Sequence, residues 1–176
     1  MPVAAKAGQR LDEVLIQNTE QWGKKHWRTI EQSYRRAPYF RDYAGFLEET
    51  YGSSWETLNA LNRHMLEFYL DALGISTRIS YSSELEVQGE ATERLINLIR
   101  AVDGTHYYSG AFALDAYLDA GMLEDAGVEL QLQEWTAPQY PQLYGTFIPD
   151  LSIVDLLMIC GPDSLNVIMD KRNDTA

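Results

Sequence analysis

Positive charge is scarce in this chain. Lys and Arg number 14 against 26 Asp and Glu, a formal net charge of -12 with a pI near 4.6. Non-specific binding to nucleic acid or to an anionic membrane surface rewards basic residues, so neither partner is expected. A small anionic ligand stays open, because a local basic cluster can override the global field. Cysteine is nearly absent as well. Cys160 stands alone, so no internal disulfide and no cysteine-based metal site can form. The three histidines, His26, His64 and His106, are far apart and lack His-x-x-x-His spacing, so no metal is expected. A Walker loop and a GxGxxG fingerprint are both missing, and no cofactor is expected. The longest apolar run, Ile153 to Cys160, is interrupted by Asp155 and far too short to span a bilayer. The opening MPVAAKAGQRLDE has no signal-peptide core. A cytoplasmic location fits these absences. No period of 20–50 residues repeats, which argues against a solenoid.

What is present suits a packed core. Hydrophobic residues make up 45% of 176 residues, which predicts one domain over residues 1–170 and a disordered polar tail over 171–176. Two short extended pieces flank a turn within Met1 to Ile16. A helix then runs from a cap at Asn18 or Thr19 to Ala37, with Trp27, Ile30 and Tyr34 as its apolar stripe. Pro38 ends it. A second helix covers about Tyr39 to Tyr51. Ser53-x-x-Glu56 is the pattern of a capping box for a third, with Leu58, Leu61, Met65, Phe68 and Leu73 at helical spacing. His64 in that helix reads as a surface or interhelical residue.

Alternation over Ile75 to Tyr81 predicts a half-buried strand. A helix over Ala91 to Val102, an aromatic strand from Thr105, a Ser109-Gly110 turn, a helix from Ala111 and a strand over Val128 to Trp135 follow. The fold class expected is α/β: a three-helix segment followed by a small parallel-sheet βαβαβ unit, in a Rossmann-like three-layer arrangement. Next comes an aromatic, amide-rich loop from Ala137 to Gly145. Ser152-x-x-Asp155 then opens a helix whose apolar residues point nearly all round, the mark of a buried helix.

Three places carry candidate chemistry. Lys25 and Arg28 beside His26 supply an anion holder and an acid/base group, and like charge favours a neutral imidazole able to act as a base. The bland alternative is a solvated basic face. Ser109 and Gly110 precede a helix start, where free N–H groups suit an anion; Ser109 lacks the Gly-x-Ser-x-Gly elbow of a nucleophile and fits a hydrogen-bonding wall. An ordinary βα connection explains the same residues. Gln139, Tyr140 and Gln142 suit a polar ligand such as a sugar, or a loop that wraps the surface. Ser152 and Asp155 read first as a capping pair.

The segments Trp22-x-Lys24-Lys25-His26-x-x-Thr29-Ile30-Glu31-Gln32-x-Tyr34 and Ala37-Pro38-Tyr39-Phe40 belong to a wider pattern. So do Tyr108-Ser109-Gly110 with Tyr117-Leu118-Asp119. The third part runs Gln133…Pro138-x-Tyr140-x-Gln142, Phe147-x-Pro149-x-Leu151-Ser152-Ile153-x-Asp155-Leu156-Leu157 and Cys160-Gly161-Pro162. In order and spacing the chain resembles the WbqC-like protein family. The resemblance implies a setting in bacterial surface-polysaccharide (O-antigen) biosynthesis, with transfer of glycine or another amino acid to a sugar or nucleotide-sugar substrate. It also adds Tyr117 to the substrate-binding candidates. Family members usually open with a strand and a Gln-Pro-x-Tyr/Phe-Phe-Pro-like segment. The chain joins the pattern near Pro2-Val3, so a shortened member is expected, with a non-catalytic binding module as the alternative.

Overall fold

A computed structural model describes residues 1–110 and 112–169; the polar tail expected over 171–176 lies outside the described residues. The chain mixes helix and sheet, and divides into two compact units, Met1–Ser76 with Ala137–Ala176, and Thr77–Thr136.

The first unit is built on helices. Strand β1 (Val3–Ala4) pairs antiparallel with β2 (Leu15–Ile16). On its other side β2 is tied to the residues before the third helix, through Ile16 N–H to Glu56 O at 2.9 Å and Leu58 N–H to Val14 O at 2.8 Å. Helix α1 (Trp22–Tyr34) sends Trp27, Ile30 and Tyr34 into a cluster around buried Ala37, Leu47 and Met158. That is the stripe expected from the sequence. Its first turn serves another cluster, where Trp22 packs with Ile16 and Leu61. Helix α2 (Phe40–Gly52) lies close to α1, because a Cβ on Gly23 would stand 2.1 Å from the Tyr51 carbonyl oxygen. Only glycine permits that approach.

Helix α3 (Leu58–Ala72) starts later than the Ser53 pattern suggested. Its cap is Thr57, whose hydroxyl accepts from Ala60 N–H at 3.1 Å. Ser53 instead donates to Glu49 O at the end of α2. The Ser53 pattern lies four residues before the true cap because Ser53, Ser54 and Thr57 are all competent caps. His64 is interhelical, bonded to the buried Thr50 hydroxyl at 3.0 Å and packed against Phe46 and Trp55.

After the second unit the chain returns as α7 (Ile153–Cys160), with Leu156, Leu157 and Met158 buried, as its all-round apolarity implied. Leu157 and Met158 are each 1% exposed, and burial of such side chains contributes about 1.5–3 kcal/mol apiece. The junction to α8 (Ser164–Met169) turns at Gly161, whose φ of 55° and ψ of -129° suit glycine. Tyr39 lies over it: a Cβ at Gly161 would meet the ring at 2.4 Å, and Tyr39 N–H donates to Met158 O.

The second unit is a small α/β layer. Helix α4 (Ala91–Ala101) is followed by β3 (His106–Gly110), α5 (Phe112–Ala116), α6 (Ala120–Asp125) and β4 (Glu129–Gln133). Strands β3 and β4 are parallel, in register from His106 opposite Glu129 to Gly110 opposite Gln133. Ile96, Ala113, Leu118, Leu123 and Val128 form the core. Buried Thr92 pins the middle of the unit, donating to Tyr117 O and accepting from Asp119 N–H, while the Asp119 carboxylate caps α6 through Met122 N–H.

Two expectations change here. Ile75 to Tyr81 is not a strand, so the parallel sheet has two strands rather than three, and the unit is βαβ rather than βαβαβ. Alternation alone cannot tell a strand from an extended loop when no neighbour supplies ladder hydrogen bonds. Ser109 and Gly110 are not a turn but the last two residues of β3, and Gly110 carries no positive φ.

Two substitutions test this arrangement by urea unfolding. Thr57→Ala is expected to cost about 1 kcal/mol, and Ser53→Ala much less. Gly161→Ala is expected to cost roughly 2–3 kcal/mol, combining backbone strain with the collision against Tyr39. Removing the ring in a Tyr39→Ala background should leave only the strain component of the Gly161→Ala effect.

Candidate functional site

The most developed polar constellation lies in the first unit, around a buried carboxylate. Asp155 sits in the first turn of α7 and is 6% exposed. Such a group must be supplied with donors, since an unpaired buried charge is costly. The Tyr140 hydroxyl donates to Asp155 Oδ2 at 2.8 Å, and Gln142 Nε2 approaches the same oxygen at 3.4 Å. The hydroxyl of Tyr34, the last residue of α1, is a further donor to this carboxylate. Burial, then these contacts with Asp155, push the Tyr140 phenol up to about 12, and Tyr34 is raised by the same causes. Both phenols therefore stay protonated and donate at neutral pH.

The Asp155 side chain thus does not reach back to complete a capping box. Ser152 caps α7 alone, accepting from Val154 N–H at 3.3 Å. Gln142 spends its other polar contacts on Ile148, donating to its carbonyl and accepting from its N–H, each at 2.9 Å. The loop is closed on itself and pinned to α7, with Phe147 edge-on to Tyr140 at 5.7 Å. Gln139 is exposed. Cys160 adds no nucleophile, because burial and the nearby carboxylates of Asp163 and Asp155 raise its thiol.

The histidine segment occupies the other end of α1. His26 is half-buried, with its ring edge-on to Trp22 at 5.5 Å and Tyr51 at 5.6 Å. Burial pulls its imidazole below the ordinary range, so it is neutral near pH 7. Lys25 and Arg28 are exposed, with no ion-pair partner among the described residues. At 100° per residue Arg28 projects about 160° around the helix from His26, so Lys25 is the cation that flanks the imidazole. Tyr34 follows His26 by eight residues, about 12 Å along the axis, which separates this group from Asp155.

In the second unit, Ser109 is buried and Tyr117 exposed, while half-buried Tyr107 hydrogen bonds to both side chains. Helix α5 after β3 has only five residues, too short for the aligned dipoles that make a helix start an anion site. The Asp155 group was missed in the sequence because its donors lie 13 to 121 positions away; the one local signal was a carboxylate inside an otherwise apolar run. Among the described residues no group of three His, Cys, Asp or Glu side chains is placed to hold a metal ion, and no helix is long and apolar enough to cross a membrane.

Comparison with known proteins fits the pattern of paired segments. The model of the WbqC-like protein family matches residues 1–167. The chain belongs to the WbqC-like protein family. It is similar to the uncharacterized protein Rv1507c of Mycobacterium tuberculosis, at 35% identity over 168 residues, covering 93% of this chain and 72% of the relative. No solved structure matches it at a significant level. In this family member the Ala37-Pro38-Tyr39-Phe40 and Cys160-Gly161-Pro162 segments meet through Tyr39 and Gly161.

Tyr140→Phe should lower unfolding stability at neutral pH by about 1–3 kcal/mol, since it leaves a buried carboxylate short of a donor. Because the folded phenol titrates higher than the unfolded one, its contribution is complete below about pH 10 and is lost as pH rises toward 12. The wild-type protein should therefore lose stability over that interval more steeply than Tyr140→Phe, in urea midpoints measured across pH.

Proposed function

We propose that this WbqC-like chain is a transferase of bacterial surface-polysaccharide (O-antigen) biosynthesis, moving glycine or another amino acid onto a sugar or nucleotide-linked sugar. One observation carries the reading: a neutral imidazole, His26, lies next to an unpaired, solvent-facing cation, Lys25, on one rigid helix. An amine or hydroxyl nucleophile needs a neutral base to take its proton, and an anionic donor needs a positive holder. Lys25 is that holder, with Arg28 on the more distant side of the helix. Gln139 of the pinned loop offers an amide to sugar hydroxyls, and the ring of half-buried Tyr140 beside it suits contact with a sugar face. Ser109, Gly110 and Tyr117 belong to the second unit and are further substrate-binding candidates of the same reading. A cytoplasmic location follows from the same substrates.

A second reading, a non-catalytic ligand-binding or interaction module, is favoured by one specific observation. Tyr140 and Gln142 already spend their polar atoms on Asp155 and Ile148.

Thermal-shift screening of the intact chain against nucleotide sugars and aminoacyl donors separates the two. The transferase reading expects at least one donor to raise Tm, at about 2.7 kcal/mol of stabilisation for ligand at a hundredfold its Kd. It also expects His26→Ala to keep that shift while transfer, followed by mass spectrometry of the acceptor, falls by about a hundredfold or more. A full panel without any shift, or His26→Ala with unchanged transfer, overturns it.

A further inference from the structure

A cavity of about 670 Å³ lies in the second unit, within the size range of small-ligand sites. One wall is Leu98 and Ile99 on α4 with Val102 just past its end; the other is the strand-less segment from Arg78 to Leu85. That segment contains a closed turn, and the residues just after it are anchored to α4. A backbone hydrogen bond from Glu84 N–H to Tyr81 O closes a turn, and the side chains of Arg94 and Asn97 on α4 grip the carbonyls of Val87 and Gln88.

Its chemistry is two-faced. Ile79 is 42% and Val102 37% exposed, apolar surface that an apolar occupant would remove from water. Arg78, Ser80 and Ser82 supply one guanidinium and two hydroxyls at the opposite wall, and none of these side chains has a partner among the described residues. No carboxylate is among the lining residues. In a chain of net charge -12 an unpaired arginine over an apolar floor selects an anion with a hydrocarbon tail.

We propose that this cavity is a binding site for a small single-chain amphiphilic anion, a medium-chain carboxylate free in solution. The tail lies along Leu98, Ile99 and Val102. The carboxylate accepts hydrogen bonds from Arg78 and from the hydroxyls of Ser80 and Ser82. This site uses no residue of the proposed transfer chemistry and stands or falls separately from it.

Titration of the full chain with octanoate, octylamine and acetate, followed by amide shifts in ¹⁵N-correlated NMR near neutral pH, tests the assignment. Octanoate should give saturable shifts centred on the 78–85 segment and the 98–102 end of α4. Octylamine should bind about tenfold more weakly, and acetate should not saturate. Arg78→Gln, at an exposed position, should weaken octanoate about tenfold and leave octylamine unchanged. Val102→Glu, also exposed, should weaken octanoate at least as much by placing a like charge against the tail. Equal binding of octanoate and octylamine, shifts centred elsewhere, an unaffected Arg78→Gln, or no saturation by about 10 mM octanoate overturns the assignment.

Discussion

A carboxylate buried in an apolar helix constrains the whole first unit. Asp155 interrupts the run from Ile153 to Cys160, and α7 can pack its other residues against α1 and α2 only if that charge is provided with donors. The donors are three side chains from two places: Tyr34 at the end of α1, and Tyr140 and Gln142 in the loop before α7. Satisfying one side chain therefore fixes where α1 ends, how the loop folds and in which register α7 docks. An apolar residue at position 155 would fill the space without that specification. A charge accepts few arrangements.

The sequence carried the helices well and the connections poorly. Periodicity in Trp27, Ile30 and Tyr34, and in Leu58 to Leu73, is a property of adjacent turns and survives without knowledge of the partner. The Ile75 to Tyr81 alternation does not, because a strand exists only where a second strand accepts its hydrogen bonds. Capping residues sit between these extremes. Ser152 was legible because one competent residue preceded the apolar run, whereas Thr57 was hidden among other competent hydroxyls. At the candidate site the polar residues of the 139–142 loop were visible, but their use was not: Tyr140 and Gln142 turn toward Asp155 and Ile148, contacts that no local spacing encodes. The lowered titration of His26 was legible in direction. Its cause was not, for the ring is held down chiefly by burial rather than by its lysine neighbours.

The segments that define the family pattern are coupled through packing as much as through exposed chemistry. Tyr39 covers the turn at Gly161, so two distant motifs constrain one contact. Leu118 is core, Asp119 caps α6, and Thr92 on α4 bonds the residues on either side of Leu118, Tyr117 and Asp119. Such pairs explain why order and spacing across the chain, rather than any single motif, mark membership. They also separate residues that hold the scaffold from those left with free polar groups facing solvent, of which Lys25, Arg28 and Gln139 are the clearest.

The first unit is discontinuous, with residues 77–136 interposed between its two parts. During synthesis this imposes an order. Helices α1 to α3 leave the ribosome with one wall of their core empty, because Leu143, Val154 and Met158 belong to it and have not been made. At on the order of 5–20 residues per second, the roughly 80 residues between α3 and α7 take about 4–16 s to appear. Throughout that interval Trp27, Phe40 and Phe46 have only the partners that α1 to α3 supply, among them Phe68 and His64. The second unit is contiguous and is delivered whole, so the younger stretch of chain is complete before the older one can close.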